Sequence, residues 1–441
     1  MTPKPRSVAV RMYQVGFGDC FVVSFTYPRP LDDGRSERHM LVDFGSTHRP
    51  KASRGGRRSI VAQAADQIRE DTGGALDVVV LTHRHRDHLS GFADEDAAAV
   101  IRSLNPKLVT RPWTEHPDLP RDAEAPLGGE AADDRLGFAQ HLAAGHRLAA
   151  RVEELTRHAR PGSVQGDLAQ LALDQVPNRE AIEFLDELAR DTDDEYLSEG
   201  MVSKIANHIP GIDVRVLGPP TIEQHAEITK ARANDPDEFW LMQLGEVGRI
   251  KQVSLDTSKR RRPVPVPPGP VAWVVDKLAR QQVGVLNRIV RTVDDALNNT
   301  SLILMIDAGD RRLLLPGDAQ IENWTWALHA SDRAASYRRL LAGVDLYKVG
   351  HHGSRNATPK SLFRLWERQA RDEHPMVALL STLPDVHGKS DATAVPRESL
   401  VSALELRMDL VRTDTLGKRG SVTVAAPCRG RDPFAVEVEG G

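Results

Sequence analysis

Cysteine is nearly missing from this chain: only Cys20 and Cys428 occur in 441 residues, far apart in sequence. Two distant thiols exclude a disulfide-stapled scaffold and any zinc site built from cysteine. Aromatic residues are scarce as well, at 5%, which argues against a platform on which successive bases of a single strand stack. No apolar run approaches the ~20 residues of a membrane span. The opening MTPKPRSVAVRMYQV carries basic residues but no apolar stretch long enough for a signal peptide, so the cytoplasm is the expected compartment. The formal net charge is −4. No global positive field recruits nucleic acid, and a phosphate-rich partner has to be held by local patches or by metal.

What is present reads as a globular composition, 40% hydrophobic and 27% charged. The chain can bury a sizeable core as one large domain or two ordinary ones. Near the start, Val8–Gln14, Phe21–Thr26 and Met40–Phe44 read as short strands, with Gly16-Phe17-Gly18-Asp19 as the first turn. Ser59–Arg69 has helical spacing, and Asp77–Leu81 is a buried-strand run. A short helix and a strand at Leu108–Thr110 follow the next loop.

From about Pro112 to His208 the chain is charged and helical in pattern, as in His141–His158 and Asn178–Arg190. Strand character returns at Ile212–Leu217. A second polar stretch then reaches about Leu297, with Lys259-Arg260-Arg261-Arg262 ahead of a proline-rich run that reads as an extended surface loop. The basic run is either solvated or a nucleic-acid contact. Ser301–Ile306, Arg312–Leu315, Leu346–Val349 and Val377–Leu380 restore the strand pattern. No solenoid repeat is visible. The expectation is one α/β domain over 1–441, interrupted by insertions at about 112–208 and 221–297.

The chemistry concentrates in Thr82-His83-Arg84-His85-Arg86-Asp87-His88-Leu89-Ser90-Gly91, directly after an apolar strand. In an extended segment, residues two apart point the same way. His83 and His85 can therefore grip one metal together, and Asp87 continues on that side as the chain turns. His88, one step on, can aim with Asp87 at a second ion. Imidazole and carboxylate donors suit zinc, with manganese as the alternative.

The segment resembles the HxHxDHxxG signature of the metallo-β-lactamase superfamily. Further stretches agree in the same order: Asp43-Phe44-Gly45, Leu315-Pro316-Gly317-Asp318, and Lys348-Val349-Gly350-His351-His352-Gly353-Ser354. Val15-Gly16-Phe17-Gly18-Asp19-Cys20, Val216-Leu217-Gly218-Pro219-Pro220, Asn299-Thr300-Ser301-Leu302 and Arg412-Thr413-Asp414 make the chain similar to the hydrolase domain of the DNA-internalisation competence proteins. The resemblance implies an αββα sandwich that leaves the two insertions unexplained. It also implies two divalent ions, with His83 and His85 on the first and Asp87, His88 and either His351 or His352 on the second. Asp318 bridges them, and Asp43 and Ser354 support ligands by hydrogen bonds, though Asp43 also fits a plain turn-former. Many superfamily members supply a further histidine before the Gly-Asp motif; none stands in such a context here, His116 being the best of a weak set, and the resemblance to the competence-like branch implies a more open first ion.

The same resemblance implies hydrolysis by a metal-bridging hydroxide, with Asp87 and Asp318 at the catalytic centre. His387 is the candidate general acid, or else a surface histidine. Arg54, Arg57 and Arg58, in a loop with Arg49 and Lys51, are candidate phosphate contacts, or else solvated charge. DNA is the expected substrate. The alternatives are a small phosphodiester or ester, and an effector whose insertions dock a protein partner.

Overall fold

The structure, a computed structural model, describes residues 2–48, 58–117, 179–229, 235, 237–240, 297–367, 376–384, 386, 394–416, 420–430 and 432–439. Its frame is two mixed β-sheets. The first comprises β1 (Ser7–Tyr13), β2 (Cys20–Thr26), β3 (Glu37–Phe44), β4 (Val78–Val80), β5 (Leu108–Pro112), β6 (Asp193–Leu197), β13 (Ser421–Pro427) and β14 (Ala435–Glu439). These lie in the order β14-β13-β1-β2-β3-β4-β5-β6. The second comprises β7 (Asp213–Gly218), β8 (Ile303–Ala308), β9 (Arg311–Leu315), β10 (Leu346–Lys348), β11 (Met376–Leu380) and β12 (Met408–Arg412), in the order β12-β11-β10-β9-β8-β7.

Alternation along the strands explains why two sheets must stack. Val8, Val10 and Met12 of β1, Met40 and Val42 of β3, and Val78 and Val80 of β4 meet Leu304, Ile306, Leu313, Leu315, Leu346, Val377 and Leu379 of the second sheet in one buried cluster. The residues between them face outward: Val22, Leu41 and Val79 pack under α1 (Ile60–Asp71), α3 (Glu95–Ser103) and α4 (Arg179–Arg190). On the far side Ile303, Met305, Leu314, Tyr347 and Ala378 pack under α6 (Ile321–Thr325), α7 (Ala334–Leu341), α8 (Lys360–Glu367) and α9 (Glu398–Arg407). Strands with both faces covered read as continuous apolar runs, as Val78–Val80 and Met376–Leu380 do. Of two short helices, α2 (Arg86–Leu89) follows β4 and α5 (Ile205–His208) lies between β6 and β7.

The helix starts follow local chemistry. Ser59 caps α1 by accepting from the Ala62 amide at 2.9 Å, and Asp94 caps α3 through the Ala97 amide at 3.0 Å.

Residues 179–208, read from the sequence as part of the first insertion, add to the first sheet: α4 packs on it, and β6 extends it by pairing in parallel with β5, Leu108 opposite Asp193. The acidic run Asp193-Asp194-Glu195 disguised the strand. Its buried Glu195 is satisfied by the Thr110 hydroxyl at 2.8 Å, the Ser203 hydroxyl at 2.7 Å and the Lys204 amide at 2.6 Å. The sequence reading also passed over α9, β12, β13 and β14. The helical run His141–His158 and the basic run Lys259–Arg262 lie outside the described residues.

At one end of the sandwich three chain corners crowd together. The Asp19 amide donates to the Asp87 carbonyl at 2.9 Å, and the Gly45 amide donates to the Asp19 carbonyl at 3.0 Å. A Cβ at Gly45 would stand 2.4 Å from the Asp87 backbone, so only glycine permits this approach. Gly45→Ala should therefore destabilise the protein by about 1–3 kcal/mol through overpacking, seen as a lower Tm by calorimetry. Gly74→Ala is the control: its Cβ meets nothing within 4 Å, so it carries only the left-handed backbone cost at φ +80°, about 1 kcal/mol.

Candidate metal centre

The conspicuous polar residues sit where strands end. Asp43 closes β3, His83 and His85 follow β4, Asp87 and His88 lie on α2, Asp318 follows β9, and His351 and His352 follow β10. Strands β3, β4, β9 and β10 run so that these ends gather at one rim of the sandwich, the usual place for a ligand in such sheets. Three of the residues hold left-handed backbone: Asp43 at φ 55°, His351 at 43° and His352 at 49°. Such conformations cost free energy in residues with a side chain and persist only where the surroundings over-determine them.

Asp87, His88, Asp318 and His352 each offer a ligand atom, and the four atoms lie within 4.8 Å of one another. The outer hydrogen bonds fix which nitrogen of each ring faces in. His352 directs Nδ1 at the Ser381 carbonyl, 2.9 Å away, where it can only donate. His88 directs Nδ1 at Asp43 Oδ2, 2.8 Å away. Both Nε2 atoms then face carboxylates: His88 to Asp318 Oδ2 at 3.1 Å, and His352 to Asp87 Oδ2 at 2.9 Å. Two imidazolium protons thus fill the space between two carboxylates. A divalent cation held by the same four atoms would replace those protons charge for charge. Asp87, with a side chain 16% exposed against 2% or less for the other three, is the member that reaches solvent.

The electrostatics follow from the crowding. Burial alone depresses His88 and His352. For His88 the carboxylates of Asp318, Asp43, Asp19 and Asp87 override it and hold the imidazole well above its ordinary value. For His352 the carboxylates of Asp318, Asp87 and Asp19 do the same. His83 goes the other way: burial, with His88 and His85 nearby, keeps it well below the ordinary value and neutral. Burial would raise the Asp87 carboxyl, but His88 and His352 hold it below the usual range. Burial is likewise outweighed at Asp318 by Lys348, His88 and His352. At Asp43 burial prevails and the carboxyl is raised.

Of the other sequence candidates, some adjoin this cluster and others do not. His83 and His85 adjoin it but stand outside the four-atom group; His83 Nε2 meets His85 Nδ1 at 3.0 Å, and the His83 and His88 rings are 4.2 Å apart. Of the two late histidines, His352 joins the cluster. His351 turns its ring to the Ser354 hydroxyl at 2.9 Å and contributes its backbone amide to Asp318 Oδ1 at 2.8 Å. Asp43 also accepts from the Thr82 amide at 2.8 Å and hydroxyl at 2.7 Å, so it ties the start of the histidine loop to His88. Arg58 is exposed and paired with Asp66, with Asp96 at 3.6 Å. His116 rests on the Tyr196 ring, 4.3 Å between centroids, and is not in the cluster. Arg54, Arg57 and His387 lie outside the described residues.

Two members had no assigned role in the sequence reading. Asp19 is fully buried, with oxygens 3.6 Å from Nδ1 of both His88 and His352. Lys348 pairs with Asp19 and with Asp318 Oδ1 at 3.0 Å. Both stood in motif stretches, but nothing local marks them as partners across 329 positions.

A pH dependence follows. Raised folded-state values for His88 and His352 mean that their stabilisation is fully present below the unfolded pKa of about 6.5. It is lost as pH rises through the folded values. His83 is neutral in both states above that pH and adds no slope. The Tm of metal-free protein should fall as pH is raised above about 6.5, and saturating zinc should abolish the fall; a flat metal-free profile would contradict this charge assignment. No protein family matches the chain, and no curated protein is significantly similar to it.

Proposed function

We propose that the chain is a divalent-metal-dependent hydrolase of metallo-β-lactamase type, acting on phosphodiesters and foremost on DNA. The observation that carries the reading is the buried Asp87–His88–Asp318–His352 cluster, with both imidazole Nε2 atoms aimed inward by outer hydrogen bonds. Two sheets with helices on both outer faces are compatible with an αββα sandwich of that type. The ordered motifs from Asp43 to His352 and the resemblance to the competence-type hydrolase domain point to phosphodiester chemistry.

In this reading Asp87, His88, Asp318 and His352 would hold one ion, and His83 and His85 would be ligands for a second. Bound divalent metal supplies Lewis acidity and a nucleophile at neutral pH. The protein's own part is orientation. Asp43 fixes the His88 ring, Ser381 fixes the His352 ring, and the His351 amide turns Asp318. His387 is the proposed proton donor to the leaving group. Arg54 and Arg57 are proposed to contact phosphate.

A second reading has a specific observation in its favour. Arg84, within the ligand loop, is committed to Glu115 through Nε at 2.6 and 2.8 Å, and Arg58 is committed to Asp66. Guanidiniums already neutralised suit a small phosphodiester better than a long polyanion.

The test is metal content by mass spectrometry on wild type and His85→Ala/Asp87→Ala protein, with plasmid cleavage under zinc, manganese and magnesium. About two ions per chain, and nicking lost in the variant, are expected. Metal with turnover of bis(p-nitrophenyl) phosphate but intact plasmid would transfer the assignment to small substrates. Absence of bound metal in wild type would overturn the hydrolase reading.

A further inference from the structure

Among the described residues Lys348 is the one lysine that is buried. It ends β10, with its Cα opposite Leu379 of β11. Two positions earlier, Leu346 points into the apolar layer between the sheets, and strand alternation sends Lys348 to the same side. An ammonium at a core position of a central strand is costly unless it is paired and hydrogen-bonded. Here it has three partners for its three N–H groups: the Gly317 carbonyl at 2.8 Å, Asp318 Oδ1 at 3.0 Å and the Asp19 carboxylate.

The consequence falls on Asp318. Its Oδ1 is taken by Lys348 and by the His351 amide at 2.8 Å. Only Oδ2 is left to face the cluster, 3.1 Å from His88 Nε2 and 3.7 Å from His352 Nε2. Asp19, from the opposite sheet, braces the ammonium from behind. Asp19, Asp43 and His88 also bring ligand atoms within 4.8 Å of one another, and there Lys348 already supplies a positive charge to Asp19.

We infer that Lys348, braced by Asp19, is the positioning residue that fixes Asp318 so that Oδ2 alone is presented to metal, and that it thereby sets the affinity of the centre. This rests on the reading of the cluster as a divalent-metal site. Neither residue touches a reacting group in this arrangement; both act through Asp318.

The experiment compares wild type, Lys348→Met and Asp19→Asn/Lys348→Met as full chains. Zinc affinity is measured by competition with a chromophoric chelator, and the metal-free Tm by calorimetry. Lys348→Met alone strands the Asp19 charge and lowers the Tm. The double variant removes both charges, so its Tm should return toward wild type. Its zinc affinity should nevertheless stay about 10–100-fold weaker, the loss usual when a partner that orients a ligand is removed. A double variant that binds zinc as tightly as wild type would overturn the inference and leave Lys348 as an inter-sheet ion pair. Wild type that binds no zinc would instead remove the metal reading, and this inference with it.

Discussion

Four carboxylates, Asp19, Asp43, Asp87 and Asp318, are brought together at one end of the sandwich, and their mutual repulsion is what the neighbouring structure has to answer. Without cationic partners, burying them would cost several kcal/mol per charge. The answer comes from both sheets. His88 stands between Asp43 and Asp318, His352 reaches Asp87, and Lys348 joins Asp318 to Asp19. Each of these ties spans separate strand ends, so the charge network and the stacking of the sheets support one another.

The backbone at this rim is shaped by the same demand. Asp43, His351 and His352 hold left-handed conformations, and Gly45 lets the end of β3 press on the Asp87–His88 backbone. A rim of this kind arranges its donors before any ligand arrives, which lowers the cost of ordering them on binding.

The polar loop after β4 stood out in the sequence because its information is local: alternate residues after a strand share a side, and His83, His85, Asp87 and His88 fall within six positions; of these, Asp87 and His88 join the four-atom cluster. Most strands up to Leu380 were legible as apolar runs for the same reason. Other features depend on distant partners. Lys348 and Asp19 matter only as a cross-sheet pair, and a single lysine or a turn aspartate carries no sign of that. The choice between His351 and His352 depends on a reversed backbone at both positions, which puts one ring on Ser354 and the other on Asp87. β6 was hidden by acidic residues whose burial is explained by Thr110, Ser203 and Lys204, again a tertiary matter.

The strand directions have one more consequence. β5 runs parallel to β3 and β4, so the chain leaves it at the rim that holds the His–Asp cluster. β8 runs antiparallel to β9 and to β7, so the connection from Gly218 to Ile303 also opens at that rim. Both long excursions of the sequence are therefore grafted at the mouth of the centre rather than at its base. The points of departure of both excursions, after Pro112 and Gly218, therefore stand at the same strand ends as Asp43, Asp318 and His352.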